Sequence, residues 1–236
     1  MKLGIMQPYF LPYIGYFQLI SAVDTFIVYD NIKYTKKGWI NRNRILLNGS
    51  DGMFTLPLRR GSDSLDVVQR ELAVDFDRNK LLNQFKGAYR DAPQFEQNFP
   101  LLQRIVRHEA VNLFDYVLHS IVQLCAHLRI KTQIKISSEV PIDHTLKGQE
   151  KVLALCKFIG ANTYINTIGG VELYTKNDFR NQGIDLRFIK AQQFEYAQFG
   201  KPFVPWLSIL DVLMFNPLDQ VQERVRSGFD LVEALA

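Results

Sequence analysis

A strand, a stiff loop, a short helix and a second strand follow one another within residues 2–30, and that order leaves few folds open. Residues 2–6 are a short apolar run. Pro8 and Pro12 in Gln7-Pro8-Tyr9-Phe10-Leu11-Pro12-Tyr13 forbid both helix and ladder there. Residues 15–21 read as a short helix. Residues 24–30 are β-branched and aromatic in the middle with an aspartate at each end, the pattern of a buried strand. Strand, helix, strand opens a βαβ unit, usually parallel and right-handed. The alternation returns in the last third. Strand 132–136 precedes helix 148–159, which Gly160 stops; strand 162–166 follows. Thr175 with Asp178 forms an approximate capping box for a short helix ending at Gly183, and residues 184–190 are another strand. The expected fold class is α/β with a mostly parallel sheet.

Two insertions interrupt this alternation. Residues 40–47 and 53–58 flank Asn48-Gly49-Ser50-Asp51-Gly52, so a β-hairpin is expected at about 40–58 with a turn of slightly extended length. Asp77 can cap a helix through about Tyr89, Ala92-Pro93 breaks it, and Asn112 can cap a long helix to about Leu128. Residues from about 77 to 130 therefore read as a helical insertion. A chain of 236 residues suits one substantial core, and no repeat, low-complexity tract or linker divides it. A single domain over 1–236 is expected.

Hydrophobic residues at 47% and charged residues at 22% describe a globular chain and not a disordered one. No apolar run approaches the roughly 18 residues that span a bilayer, and no signal peptide is visible, so a cytoplasmic protein without a membrane span is expected. Cys125 and Cys156 each fall on the apolar face of a helical stretch and read as small buried hydrophobes. The histidines (His108, His119, His127, His144) lack ligand spacing with cysteines or carboxylates, so no metal is expected. The net charge of +4 is explained as well by phosphate-bearing small molecules as by nucleic acid. Asp63, Asp66, Glu71 and Asp75 interrupt any continuous basic stripe, so nucleic acid is not the expected partner. Oligomeric state stays open, a homo-oligomer included.

Open α/β sheets bind ligands beyond the carboxyl ends of their strands, which directs attention to the loop after the first strand. Gln7, Tyr9, Tyr13 and Tyr16 are the candidates there, followed by a helix whose free N–H groups could receive a phosphate. The alternative is that these aromatics, with Phe10, pack the core. The second constellation is Lys33, Lys36, Lys37, Trp39, Asn41, Arg42, Asn43 and Arg44. Arginine forks match phosphate oxygens, lysines add charge, tryptophan offers a stacking face and the asparagines add directional hydrogen bonds. A nucleotide or nucleotide-sugar fits that set; a solvated basic loop is the alternative. His144, beside Asp143 and Lys147-Gly148, and Asp30 are candidate general bases. Asn166 with Gly169-Gly170 closes another strand at the same expected edge and makes a second wall. Ser208 and Asp211 are spaced as a helix capping box, an architectural role.

Gln7-Pro8-Tyr9, Pro12-Tyr13-Ile14-Gly15-Tyr16, residues 24–30 and Trp39 with Asn41-Arg42-Asn43 together resemble the WbqC-like family of bacterial polysaccharide gene clusters. Ser137-Ser138-Glu139, Lys147-Gly148, Gly160-Ala161 with Tyr164, Tyr174, Phe203 and Leu207-Ser208-Ile209 with Asp211 extend the resemblance over nearly the whole chain. It implies a cytosolic transferase of O-antigen or capsule biosynthesis that attaches a glycyl or other acyl group to a nucleotide-linked amino sugar. No tightly bound cofactor is implied; the nucleotide or nucleotide-sugar is substrate. The opening is also similar to HIGH-type nucleotidylyltransferases of the Rossmann-like HUP fold, which implies adenylation of a carboxylate with ATP as one alternative. In that family two histidines flank the glycine, where Tyr13 and Tyr16 stand here, and a neutral tyrosine cannot supply an imidazolium. A non-catalytic nucleotide- or partner-binding module is the other alternative.

Overall fold

The computed structural model describes residues 1–62, 64–200 and 202–233; Asp63 lies outside them. Its central sheet contains β1 (Lys2–Met6), β2 (Thr25–Val28), β5 (Gln133–Ile136), β6 (Thr163–Thr167), β7 (Asp185–Ala191) and β8 (Phe229–Glu233), in the order β5-β2-β1-β6-β7-β8. Every pairing is parallel except that of β7 with β8. The architecture is a mostly parallel, Rossmann-like α/β sheet. From β1 the chain steps outward to β2 and β5, then crosses to β6 on the other side of β1. The strand order therefore reverses between β1 and β6, the point at which such sheets open a crevice.

Strand periodicity distributes the core over both faces. Leu3, Ile5, Ile27, Tyr164 and Phe188 share one cluster with Val152, Leu155 and Cys156 of α5 (Gly148–Ile159) and Phe179 of α6 (Lys176–Asn181). Phe26, Val28, Ile165 and Ile189 face the other way. They join Phe17 and Ile20 of α1 (Ile14–Ser21) and Val221 and Val225 of α8 (Leu218–Ser227). That second cluster continues into the insertion, formed by the separate antiparallel hairpin β3 (Arg42–Leu47) and β4 (Ser50–Thr55) with α2 (Arg78–Tyr89), α3 (Phe95–Val106) and α4 (Leu113–His127). Cys125 on α4 and Cys156 on α5 are both free and buried, and burial pushes each thiol up to about 12.

The helix starts follow the capping signals. Asp77 accepts the Lys80 backbone N–H at 2.9 Å, and the Asn112 side chain accepts those of Phe114 at 2.8 Å and Asp115 at 3.2 Å. Gly160 ends α5 in the left-handed conformation, φ 72°. Other details differ from expectation. The hairpin turn is the two-residue Asn48-Gly49, φ 50° and 79°, because Leu47 pairs directly with Ser50. Ser50 to Gly52 thus belong to the strand. Positive φ at both positions is the geometry that matches strand twist. A Cβ at Gly49 would meet nothing within 4 Å, so Gly49→Ala tests backbone strain alone. It is expected to cost about 1 kcal/mol in urea denaturation.

The capping box expected at Thr175 and Asp178 does not form. Gln149, reaching over from α5, replaces it: its Oε1 accepts the Thr175 N–H at 2.6 Å and its Nε2 donates to Asp178 Oδ2 at 2.7 Å. Ser208 does cap α7 (Ile209–Phe215), accepting from Leu210 N at 3.3 Å while donating to Leu11 O at 2.7 Å. Asp211 does not complete that box; its carboxylate is held elsewhere, by Tyr89, Tyr196 and Gln198.

Candidate functional site

A cleft of about 890 Å³ opens at the carboxyl edge of the sheet, where the strand order reverses. Gln7 and Tyr9 follow β1, Tyr29, Asn31 and Lys33 follow β2, Asn166 and Thr167 end β6, and Gly169-Gly170 follow it. The segment leading into α5 adds His144 and Lys147, the helix itself adds Lys151, and Asp66 closes the rim from the insertion. Among the described residues with ionisable side chains of fixed charge, this wall holds Lys33, Lys147 and Lys151 against Asp66.

Hydrogen bonds preset much of the wall. Gln7 Nε2 donates to the Tyr9 hydroxyl at 2.6 Å, and the Tyr16 hydroxyl donates to Gln7 O at 3.1 Å. Asn166 Nδ2 donates to the hydroxyls of Tyr164 at 3.0 Å and Tyr174 at 2.9 Å, while its Oδ1 accepts the Thr167 N–H at 2.7 Å. Asn166 therefore spends its amide on setting Tyr174 in the wall. Burial pushes the hydroxyls of Tyr9 and Tyr174 upward, so both stay neutral hydrogen-bonding groups. His144 Nδ1 and Asn31 Nδ2 are 3.0 Å apart. An amide nitrogen donates only, so Nδ1 accepts and the neutral ring carries its proton on Nε2. Lys151 is 2% exposed, sits 4.8 Å from the centroid of the Tyr29 ring, and burial lowers the pKa of its ammonium.

Of the side chains singled out in the sequence, Gln7, Tyr9, Lys33, His144, Lys147, Asn166 and Gly169 come together in this cleft. The rest do other work. Tyr16 is a core residue packed against Tyr9, Phe17 and Phe26. Tyr13 opens on a separate pocket of about 650 Å³ between α1 and the end of β7, its ring 5.3 Å from that of Trp206. The first turn of α1 therefore lies at that pocket and not at the cleft. Asn41 and Asn43 are buried and turn their side chains to partners within the protein, away from the cleft. Asn41 accepts from the Tyr34 hydroxyl at 2.9 Å and donates to Leu56 O at 2.8 Å. Asn43 donates to Leu11 O at 2.7 Å and accepts from Arg44 N at 2.8 Å. Arg42 is held by its own loop, donating to Gly38 O at 2.7 Å and to Lys37 O. Its guanidinium and that of Arg44 lie 5.8 and 5.4 Å from the Trp39 ring centroid, so Trp39 stacks on its neighbours. Asp30 is fully buried and accepts the Ser138 N–H at 2.9 Å, which pins the end of β2 to the turn after β5. It lines no part of the cleft, so it is misplaced as a base.

Sequence reasoning missed Asp66, Lys151, Tyr29 and Tyr174 as wall residues. Lys151 carried a usable signal: it lies within one helical turn of Lys147-Gly148, and side chains of a first turn lean back toward the helix start. Asp66 carried none, because only the fold of the insertion brings it to the sheet edge.

The profile of the WbqC-like protein family matches residues 7–223, which takes in every cleft residue named here. The chain belongs to that family. This WbqC-like protein is 28% identical over 221 residues to an uncharacterized protein of Mycobacterium tuberculosis, covering 91% of this chain and 93% of the relative. No solved structure matches it. Among the described residues no three His, Cys, Asp or Glu side chains cluster as metal ligands would, and no helix is long and apolar enough to cross a membrane.

Proposed function

We propose that the cleft binds a nucleotide-linked amino sugar and that the protein transfers a glycyl or other acyl group to the sugar amine. The observation that carries this reading is the excess of lysine over carboxylate, among the described residues, in a cleft set where the strand order reverses. Such crevices are the ligand sites of open α/β sheets, and the cavity falls within the range of small-molecule pockets, about 300–1,000 Å³. Lys33 and Lys147 offer charge to a pyrophosphate, and the rings of Tyr29 and Tyr174 offer apolar faces to a base or sugar. In the transfer the amine nitrogen attacks the acyl carbonyl carbon, the donor's leaving group departs with the electron pair of the broken bond, and the amine proton passes to Asp66. The resemblance to polysaccharide-cluster proteins supports the choice of an amino sugar.

The adenylating alternative has less support, since neither Tyr13 nor Tyr16 lines the cleft. A nucleic-acid module has less still, with Arg42 and Trp39 folded onto their own loop.

Nucleotide-linked amino sugars are expected to raise the melting temperature by several degrees, and the Lys33→Ala, Lys147→Ala double variant is expected to weaken binding at least about tenfold, as loss of charge-assisted contacts does. Arg42→Ala should leave the shift unchanged. Absence of a shift with every nucleotide-sugar tried would remove the reading.

A further inference from the structure

We propose that Lys151 and the uncapped first turn of α5 form an anion subsite in the cleft that receives a phosphoryl group. The subsite rests on the cleft being a ligand site, and does not depend on acyl transfer being its reaction.

Three observations converge. The first is an orphaned cation. Lys151 is 2% exposed and borders the cleft, yet among the described residues its ammonium has no carboxylate within ion-pair distance and no hydrogen bond; its one polar contact is the face of Tyr29 at 4.8 Å. With its stem buried and no anion beside it, this ammonium faces the cleft short of a counter-charge that a ligand would supply. The lowered pKa of this amine, caused first by burial, expresses the same imbalance, and the more distant Asp66 and Asp30 only partly oppose it.

The second is the helix start. α5 runs for 12 residues, and its N-cap Lys147 makes no side-chain cap bond. Its early N–H groups thus lack the usual side-chain acceptor, at the end of the helix where partial positive charge gathers. The third is direction. Lys151 is the fourth residue of α5, and a helical side chain leans over the turn that precedes it. Its ammonium and the open N–H groups therefore serve one volume of the cleft that Lys147 and Gly169 also line, and at Gly169 the absence of a side chain leaves room. A compact, doubly charged oxyanion uses all of these donors; a neutral ligand leaves the ammonium unanswered.

Inorganic pyrophosphate, titrated calorimetrically into the full chain, tests the subsite. Lys151→Met keeps the aliphatic stem and removes the charge, and is expected to weaken pyrophosphate binding at least about tenfold. Its ligand-free melting temperature should match or exceed that of the wild type, because the unpaired charge is gone. Lys157→Met, at the far end of the same helix, changes net charge equally and should bind as the wild type does. Lys151→Gln carries the same expectation should the methionine variant not fold.

Wild-type affinity in the Lys151 variants, or no pyrophosphate binding by the wild type, overturns the subsite. So does a melting temperature that drops by several degrees with binding intact, which would make Lys151 a packing partner of Tyr29. The two readings of the cleft fail separately. Pyrophosphate binding without any nucleotide-sugar shift sinks the transferase alone, whereas a nucleotide-sugar shift that survives Lys151→Met sinks the subsite alone.

Discussion

Asp211→Ala is expected to remove about 4 kcal/mol of folding stability, a large part of what a domain possesses. The carboxylate is fully buried on α7 and accepts three hydrogen bonds: from the Tyr89 hydroxyl at 3.0 Å, the Tyr196 hydroxyl at 2.6 Å and Gln198 Nε2 at 2.7 Å. Each donor holds a different part of the fold. The Tyr89 oxygen also accepts the Leu46 N–H at 3.0 Å, which ties α2 to the hairpin, and Gln198 clasps Val204 through both of its amide atoms. Alanine takes the acceptor from one buried donor and two half-buried ones at once, whereas Tyr89→Phe removes one and should cost about 1–2 kcal/mol. Urea unfolding followed by circular dichroism measures both. A deficit below about 1 kcal/mol for Asp211→Ala would mean that the surrounding donors find other partners and that the hub is not one.

The deficit also has a sign in pH. Burial raises the Asp211 pKa above the ordinary carboxylate range, and the three donors pull it part of the way back. A carboxyl whose pKa rises on folding holds its proton more tightly in the folded state. Its stabilising share is full below the unfolded value and is lost as pH climbs through the folded one. The gap between wild type and Asp211→Ala should therefore be wider in acid than at neutral pH.

How far the sequence disclosed this molecule depends on the range over which each signal acts. Local signals were legible. Asp77, Asn112 and Gly160 bound their helices where they stand in the chain, and β1 spans the apolar run at its start. Pro100 hid α3, because a proline inside a helix normally argues against one; here it occupies the sixth position and forgoes one backbone bond. Ser208 announced the start of α7, but α8 and the antiparallel β8 carried no turn chemistry strong enough to announce them.

The site was half legible for the same reason. The rule about strand ends located the cleft edge, and with it Gln7, Asn166 and Gly169, while Lys33 came from the cationic stretch. Reading Asn41 and Asn43 as ligand contacts neglected strand periodicity: with Ile45 and Asn43 facing inward, Arg42 and Arg44 must face outward. Asp66 and Lys151 meet across the cleft only through the long insertion between β2 and β5, and no local pattern encodes that distance.

His144 supplies the second large effect, and its hydrogen bond decides which role it plays. His144→Ala is expected to lower kcat for acyl transfer by about 10²–10³-fold, the range seen when a positioned donor to a developing oxyanion is lost. The donor role follows from Asn31, whose amide N–H occupies Nδ1 and leaves the proton of the neutral ring on Nε2, the atom free to meet a ligand. A base needs the opposite tautomer. His144→Gln separates the two, because a glutamine amide donates but cannot take a proton. As a donor site it should keep kcat within about tenfold of the wild type, while as a base site it should fall as far as alanine does. Asn31→Ala should cost less than alanine at 144, since it frees the tautomer without removing the ring. If glutamine proves as inactive as alanine, His144 takes the amine proton itself, and Asp66 is left without the part assigned to it.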